Sequence, residues 1–385
     1  MSPERNEQDS PGRPHRTPTG AGAGARQTGR TGRGAWGSKE ATGAGAGQPG
    51  AGRTYIRLHS DENPYGCSLN VLDILGSSDT YHLPADPVCS DLRAAVAEYT
   101  GFSAERIVAG AGTAELTERV LHAFLDPGDA VITCPPTLPN HNPAASRARV
   151  TLVQVPRTQD FEVDPEAIIT AMRRQSNIKM VLVSSPNNPT GNLTPHTVVV
   201  QLLQAGVWVL VDESYFEFSD RTVAPLVAEF DNLLVLRSFG PWAGLHGLPV
   251  GYALCSVRAA ARLQRLAPPG GLNQAAQLAA IASIGDRDNL LQRVRRIRLE
   301  RGRMFRQLRK LNLLQPYPSS ANFLLCEMRR GEALMVQRHL QEDGILVKAI
   351  SDRWLPNHLR IGVGRPEDTN ALIASLRKLA AQPYL

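Results

Sequence analysis

Two short segments carry the residues best suited to chemistry. Ser185-Pro186-Asn187-Asn188-Pro189-Thr190-Gly191 follows an apolar run at 179–184. A tight polar turn at the carboxyl end of a strand is where α/β sheets bind ligands. Further on, Val211-Asp212-Glu213-Ser214-Tyr215-Phe216-Glu217-Phe218 closes a second apolar run. A carboxylate there is costly to bury unless it meets a cation or a protonated ring nitrogen. Opposite a pyridine nitrogen it keeps the ring protonated and makes it an electron sink, which is the chemistry of pyridoxal phosphate (PLP). Tyr215 stands where it can donate to the phenolic oxygen of such a ring.

These segments need a scaffold, and the surrounding pattern describes one. Apolar runs rich in β-branched residues recur at 130–134, 150–155, 179–184, 207–212, 232–236 and 250–255, with helical stretches such as 114–125 and 165–174 between them. That alternation predicts an α/β fold with a mostly parallel sheet. After Pro268-Pro269-Gly270-Gly271 come helices at 273–284 and 287–312, strands near 321–326 and 358–363, and a closing helix at 366–380. This half reads as a connecting helix and a smaller α+β domain. The stretch Arg293–Lys310 holds nine basic residues and one acid. With Val294, Ile297, Met304, Phe305 and Leu308 on one side, it reads as a helix with a solvated basic face rather than a nucleic-acid site.

The chain has 385 residues, 42% of them apolar, enough for a sizeable core, and no apolar run long enough to cross a bilayer. Five cysteines form no CxxC and no Cys/His cluster, so a reducing, cytoplasmic setting is expected. Residues 1–54 carry 13 of the 33 glycines and a surplus of four positive charges out of the net +6. Such a segment buries too little apolar surface to offset chain entropy and reads as a disordered tail. The remaining body is nearly neutral, which argues against a nucleic-acid or membrane partner.

From about Leu58 to Leu379 the chain resembles the fold-type-I PLP enzymes, in particular the histidinol-phosphate aminotransferase-like branch of the class I and II aminotransferases. The resemblance is carried, in order, by Asp61-Glu62-Asn63-Pro64-Tyr65-Gly66, Tyr81, Gly110-Ala111-Gly112-Thr113-Ala114-Glu115-Leu116, Pro186–Gly191 and Val211–Tyr215. Ala243-Gly244-Leu245 with Val250-Gly251-Tyr252, Ser320-Ala321-Asn322-Phe323 and Leu359-Arg360-Ile361 complete it. It implies a mixed, mainly parallel seven-stranded sheet with a small α+β domain. It implies PLP as cofactor, with Asp212 at the ring nitrogen, Asn188 and Tyr215 at the phenolic oxygen, and the turn Gly112-Thr113-Ala114 at the phosphate. Tyr65, Asn322 and Arg360 would meet an amino acid or amino phosphate substrate. Tyr81 would reach the cofactor phosphate of a second subunit, which implies a homodimer. The implied domains are 55–285, an N-terminal arm with the PLP-binding domain, and 286–385, packed with part of 55–100.

The segment Arg237-Ser238-Phe239-Gly240-Pro241-Trp242-Ala243-Gly244-Leu245-His246-Gly247-Leu248-Pro249-Val250-Gly251-Tyr252 departs from that family's pattern. Counted back from Val250-Gly251-Tyr252, Pro241 falls where the Schiff-base lysine belongs, Gly240 where a phosphate-binding serine belongs, and Pro249 where a phosphate-binding arginine belongs. Leu138 takes a ring-stacking aromatic's place. Proline has no amine, so both covalent attachment and the lysine's proton transfer are lost. The chain has only five lysines, at 39, 179, 310, 348 and 378. Of these, Lys348 ends a small-domain strand near the expected substrate side, and His246 is the nearest alternative base. Three readings follow: an aminotransferase working through noncovalent PLP, a catalytically silent homologue serving as a binding or partner subunit, and a PLP-dependent phospho-amino-acid decarboxylase.

Overall fold

A computed structural model of the chain describes residues 54–137, 141–268 and 270–382. The tail up to residue 53, Lys39 and Leu138 lie outside the described residues. The described chain opens with β1 (Ile56–Arg57), α1 (Leu69–Ser77), α2 (Ser90–Thr100), β2 (Ile107–Gly110), α3 (Thr113–Phe124), β3 (Ala130–Thr133), α4 (His141–Ala148) and β4 (Thr151–Gln154). It continues with α5 (Pro165–Arg174), β5 (Ile178–Ser184), α6 (His196–Gln204), β6 (Trp208–Asp212), β7 (Leu233–Ser238), α7 (Gly240–Ala243), β8 (Gly251–Cys255) and α8 (Val257–Gln264). The last part comprises α9 (Gln274–Gly285), α10 (Arg287–Leu308), β9 (Leu314–Pro316), β10 (Phe323–Met328), α11 (Ala333–Glu342), β11 (Ile345–Leu346), β12 (Lys348–Ile350), β13 (His358–Gly362) and α12 (Pro366–Ala380).

Seven strands form one sheet in the order β2-β8-β7-β6-β5-β3-β4. All neighbours are parallel except β8, which runs antiparallel to both β7 and β2. Its strands read as unbroken apolar runs because both faces are covered. Val181, Val183, Val209, Val211 and Val235 pack on one face. Their alternates Met180, Leu182, Leu210, Leu234 and Leu236 pack on the other. The expected mixed, mainly parallel seven-stranded sheet is therefore present. Strand β2 was not legible in the sequence. It has four residues, ends in glycine, and owes its place to pairing with β8.

A second sheet has the order β12-β13-β10-β9, and β1 pairs in parallel with β11. Leu58 N–H donates to Leu346 O at 2.8 Å and Gly362 N–H to Leu58 O at 2.7 Å. The start of the described chain is thus stitched to its end. Among the described residues no helix is long and apolar enough to cross a membrane.

Helix α10 keeps part of the expected solvated basic face, at Arg295, Arg296 and Arg306, and uses its other arginines differently. Its apolar side is buried as expected, through Val294, Ile297, Met304 and Leu308. Several of its arginines, however, hold backbone and carboxylate groups rather than water. Arg293 donates to Cys67 O at 3.0 Å and Arg301 to Ala321 O at 2.5 Å. Arg303 pairs with Glu300 at 2.7 Å, and Arg298 pairs with Asp220. Free carbonyls at loop ends need donors, and a helix rich in guanidinium groups supplies them.

The loop Asn63–Cys67 leans against the end of α7. Asn63 Nδ2 donates to Trp242 O at 2.7 Å. A Cβ on Gly244, whose φ is +73°, would stand 2.7 Å from the carbonyl of Gly66. Gly244→Ala is therefore expected to cost about 1–3 kcal/mol through both strain and clash. Urea denaturation checks this; a change within error would show that the loop yields freely.

Candidate active site

The floor of the cleft is built from the carboxyl ends of β5 and β6, as the switch-point rule for α/β sheets requires. Ser184 and Asp212 are register partners at those ends. Asp212 Oδ1 accepts from Ser214 N–H at 2.9 Å and from Ser214 Oγ at 2.5 Å. Among the described residues Asp212 Oδ2 makes no hydrogen bond, and the residue stays partly open to the cleft. Its deep setting pushes the carboxyl above its usual range against the two Ser214 bonds, and the Asp61 charge pushes it the same way. A cation or protonated ring beside Oδ2 would relieve this.

Tyr215 is buried, and its hydroxyl joins three segments. Asn188 Nδ2 donates to Tyr215 OH at 2.7 Å, and that hydroxyl donates to Asp61 Oδ2 at 2.5 Å. Burial above all, then the Asp61 charge, raises the phenol well above its ordinary value, so it remains a neutral donor. Burial is the largest influence on Asp61 and opposes its charge. Arg360, the Tyr215 hydrogen bond and His246 together outweigh it and hold the carboxyl below the usual range.

Strands β10 and β13 bring the wall opposite. They pair Leu325 with Arg360. Asn322 Nδ2 donates to Asp61 O at 2.8 Å. The Arg360 guanidinium lies 4.2 Å from the centre of the Phe323 ring. Its Nη2 approaches Asp61 Oδ1 to 3.8 Å, an ionic contact without a hydrogen bond. Among the described residues, Arg360 Nε and Nη2 and Asn322 Oδ1 are buried with no hydrogen-bond partner. Orphaned donors on a buried guanidinium call for an acidic group from outside.

Helix α3 begins at Thr113 after Gly112, whose φ of +87° needs no Cβ. Thr113 Oγ1 lies 3.4 Å from Ser214 Oγ, so this turn reaches the Asp212 cluster. The N–H groups of Thr113 and Ala114 open the helix and face no carbonyl within it, the usual setting for an anion. Just before the turn, Ala111 N–H donates to Glu115 Oε2 at 3.1 Å. A Cβ on Gly112 would touch Pro249 Cβ at 3.5 Å. An apolar ring therefore abuts the turn.

Pro241 is buried in the first turn of α7. Proline is tolerated there because its missing N–H would have no intrahelical partner. The bends on either side persist: Gly240 N–H donates to Ser238 Oγ at 3.1 Å and Phe239 N–H to Val250 O at 3.0 Å. Pro241 therefore sits in a regular one-turn helix. A Cβ on Gly240 would stand 3.3 Å from His246 Nε2, and His246 lies 3.8 Å from Asp61 Oδ1.

The structure brings Asn188, Asp212, Tyr215, Asn322, Arg360 and the 112–114 turn to one cleft, with His246 at its edge. Tyr65 and Tyr81 do not touch this cluster. Tyr65 packs under the Arg365 guanidinium, 5.5 Å away, and Tyr81 is exposed with its hydroxyl on Leu75 O at 2.8 Å. Lys348 is the register partner of Arg360 and is exposed; Lys179 donates to Ser176 O at 3.1 Å, at the far end of β5. Asp61, the most connected carboxylate here, was quoted in the sequence only as the head of the Asp61–Gly66 segment. Its signal was an acid beside a turn, which says nothing about a partner 154 positions away.

Fold and cleft together define an α/β enzyme scaffold with a ligand site at the sheet's carboxyl edge. Residues 53–376 match the family Aminotransferase class I and II. A histidinol-phosphate aminotransferase from Dehalococcoides mccartyi is 38% identical over 324 residues, 84% of this chain and 90% of that protein. One from Roseiflexus castenholzii is 39% identical over 333 residues, again 84% and 90%. The crystal structure of histidinol-phosphate aminotransferase from Sinorhizobium meliloti in complex with pyridoxal-5'-phosphate superposes with a TM-score of 0.76 at 26% identity. That match covers 84% of this chain and 91% of the other. The chain belongs to the class I and II aminotransferases, a PLP-dependent family, and resembles its histidinol-phosphate branch.

Asp61 partly neutralises Arg360. Asp61→Asn keeps an acceptor for Tyr215 and removes the charge. Succinate binding is expected to tighten about fivefold, the equivalent of the ~1 kcal/mol that unit charges 4 Å apart exchange in water. Isothermal titration checks it; unchanged affinity would mean that succinate does not bind at Arg360.

Proposed function

We propose that the chain binds PLP noncovalently together with an amino acid or amino phosphate, and has little or no transaminase activity. The observation that carries this reading is Pro241, buried beside the cleft at the position read as the lysine's. The residues present fit the ring of PLP. Asp212 offers a free carboxylate oxygen to a protonated nitrogen, and Asn188 Nδ2 keeps a second N–H for a phenolic oxygen, to which Tyr215 would donate only on giving up its bond to Asp61. They fit its anchors poorly. The phosphate turn keeps its open N–H groups but faces Pro249, and of the four described lysines only the exposed Lys348, in register with Arg360, adjoins the cluster.

When bound, PLP supplies an electron sink to the α-carbon of an amino acid. The chain's own residues then have limited parts. Asp212 keeps the ring nitrogen protonated, Tyr215 and Asn188 orient the ring, and Arg360 with Asn322 hold the substrate's acid group. Moving a proton at the α-carbon requires a base within hydrogen-bond reach. His246, partly exposed and 3.8 Å from Asp61 Oδ1, is the candidate at the cleft's edge and would replace only that half of the lysine's work.

The same reading includes a homodimer, in which the exposed Tyr81 faces a second subunit's phosphate turn. It also includes two domains, 55–285 and 286–385, with the β1–β11 pairing returning the arm to the second. All five cysteines are free and four are buried, which supports a reducing, cytoplasmic setting.

Titration of the purified chain with PLP, followed by borohydride and mass spectrometry, tests the proposal. PLP is expected to perturb the absorbance, wash out on dialysis and leave no covalent mass. Asp212→Ala should weaken binding at least tenfold. A borohydride-fixed adduct on the unmodified chain would overturn the noncovalent reading, and unchanged affinity in Asp212→Ala would overturn the placement. The combined variant Gly240→Ser, Pro241→Lys, Pro249→Arg is expected to gain the adduct, because the α7 turn already has regular geometry. Its failure to do so would show that Pro241 does not mark the lysine position.

A further inference from the structure

A separate cavity of about 360 Å³ opens where the end of α2, the turn after β6 and α10 converge. Tyr99, Phe102, Phe216 and Leu291 form its apolar wall, and Glu217 and Arg237 are its deepest polar residues. The volume lies at the lower end of the range for small-molecule sites.

The charges around it do not balance. Glu213 is fully engaged: it accepts from Arg237 Nε at 3.1 Å, Thr222 Oγ1 at 2.7 Å and Val223 N–H at 2.7 Å. Arg237 is committed to Glu213 and to Thr222 Oγ1, at 2.8 Å. Asp220 pairs with Arg298, and Arg301 donates to backbone carbonyls. Glu217 is only 3% exposed, yet the one side-chain hydrogen bond it receives among the described residues is a long one from Tyr99 OH, at 3.3 Å. Its other oxygen, Oε2, has no hydrogen-bond partner among the described residues. Two buried carboxylates thus share one guanidinium, and the second lacks a cation. The aromatic wall already serves a cation once, since the Arg237 guanidinium lies 3.6 Å from the Phe216 ring centre.

We propose that this cavity binds a small organic cation, its positive charge on Glu217 and its apolar body against Tyr99, Phe102 and Phe216. Without such a ligand the carboxyl keeps a proton instead. Burial, opposed in part by Arg237 and Tyr99, pushes Glu217 up to about 8. The other titratable groups facing it are Glu213, Tyr252 and the Asp220–Arg298 pair. Tyr99 also stacks on Trp242, with ring centres 5.5 Å apart. Trp242 follows Pro241, so an occupant would border the α7 segment. The inference does not depend on the PLP reading.

Calorimetric titration of the full chain with phenyltrimethylammonium, whose charge does not titrate, tests it, with benzyl alcohol as the neutral counterpart. The cation is expected to bind at least ~10-fold more tightly than the alcohol, because only the cation pairs the buried carboxylate. Its affinity should rise about tenfold from pH 7 to pH 9, as Glu217 passes from mostly protonated to mostly ionised. Glu217→Gln should abolish that preference and the pH dependence while melting no lower than the parent chain. Equal binding of cation and alcohol, or cation affinity unchanged in Glu217→Gln, would overturn the proposal. Should that variant fail to fold, a flat pH profile in the unmodified chain overturns it equally.

Discussion

The cleft hangs on one hydrogen bond, from Tyr215 OH to Asp61 Oδ2 at 2.5 Å. Through it the first strand's continuation, the end of β6, the Asn188 turn and the Arg360 strand meet at a single carboxylate. Asp61 is held ionised only because Arg360, Tyr215 and His246 outweigh its burial. Its charge then raises Asp212 and Tyr215 in turn. Each member's protonation therefore depends on the others, and the group behaves as a coupled set rather than as separate side chains. The same carboxylate gives Arg360 a resident counter-ion, so an incoming acid group meets a guanidinium already partly neutralised.

The segment from Arg237 to Tyr252 separates what holds the fold from what performs the family's chemistry. Gly240 and Pro241 open a one-turn helix, where a missing side chain and a missing N–H cost little. Phe239 and Trp242 on either side are fully buried, and Gly244 sits against the Gly66 carbonyl. Packing at these neighbours maintains the loop whatever occupies 241. On the proposed reading of position 241, this packing accommodates a proline in place of an amine. On that reading the sheet, Asp212 and Arg360 remain while the lysine-dependent steps disappear.

Buried charge follows a different rule away from the cleft. Glu213 and Arg237 satisfy one another with Thr222 and a backbone N–H, as a buried ion pair must. Glu217 lies next to them without an equivalent partner. A neutral acid at that point is the physical answer to incomplete compensation, since burial disfavours the charged form.

Much of the architecture was legible along the chain. Apolar runs rich in β-branched residues marked β3 to β8, because a sheet covered on both faces demands apolar residues at nearly every position. The closing helix 366–380 and the helix 165–174 were read at their observed bounds, since Pro366 and Pro165 sit at first-turn positions. Asp212, Asn188 and Tyr215 were legible because strand ends in such sheets collect ligand-binding groups. Strand β2 was not, for it exists only through its partner β8. Neither the coupling of Asp61 to Tyr215, Arg360 and His246 nor the lone carboxyl of Glu217 could be read in advance. Residue type and spacing dictate which groups are available and which element carries them. Whether a carboxylate finds a guanidinium, a phenol or no partner depends on how distant segments pack, because desolvation and pairing are properties of the assembled surroundings.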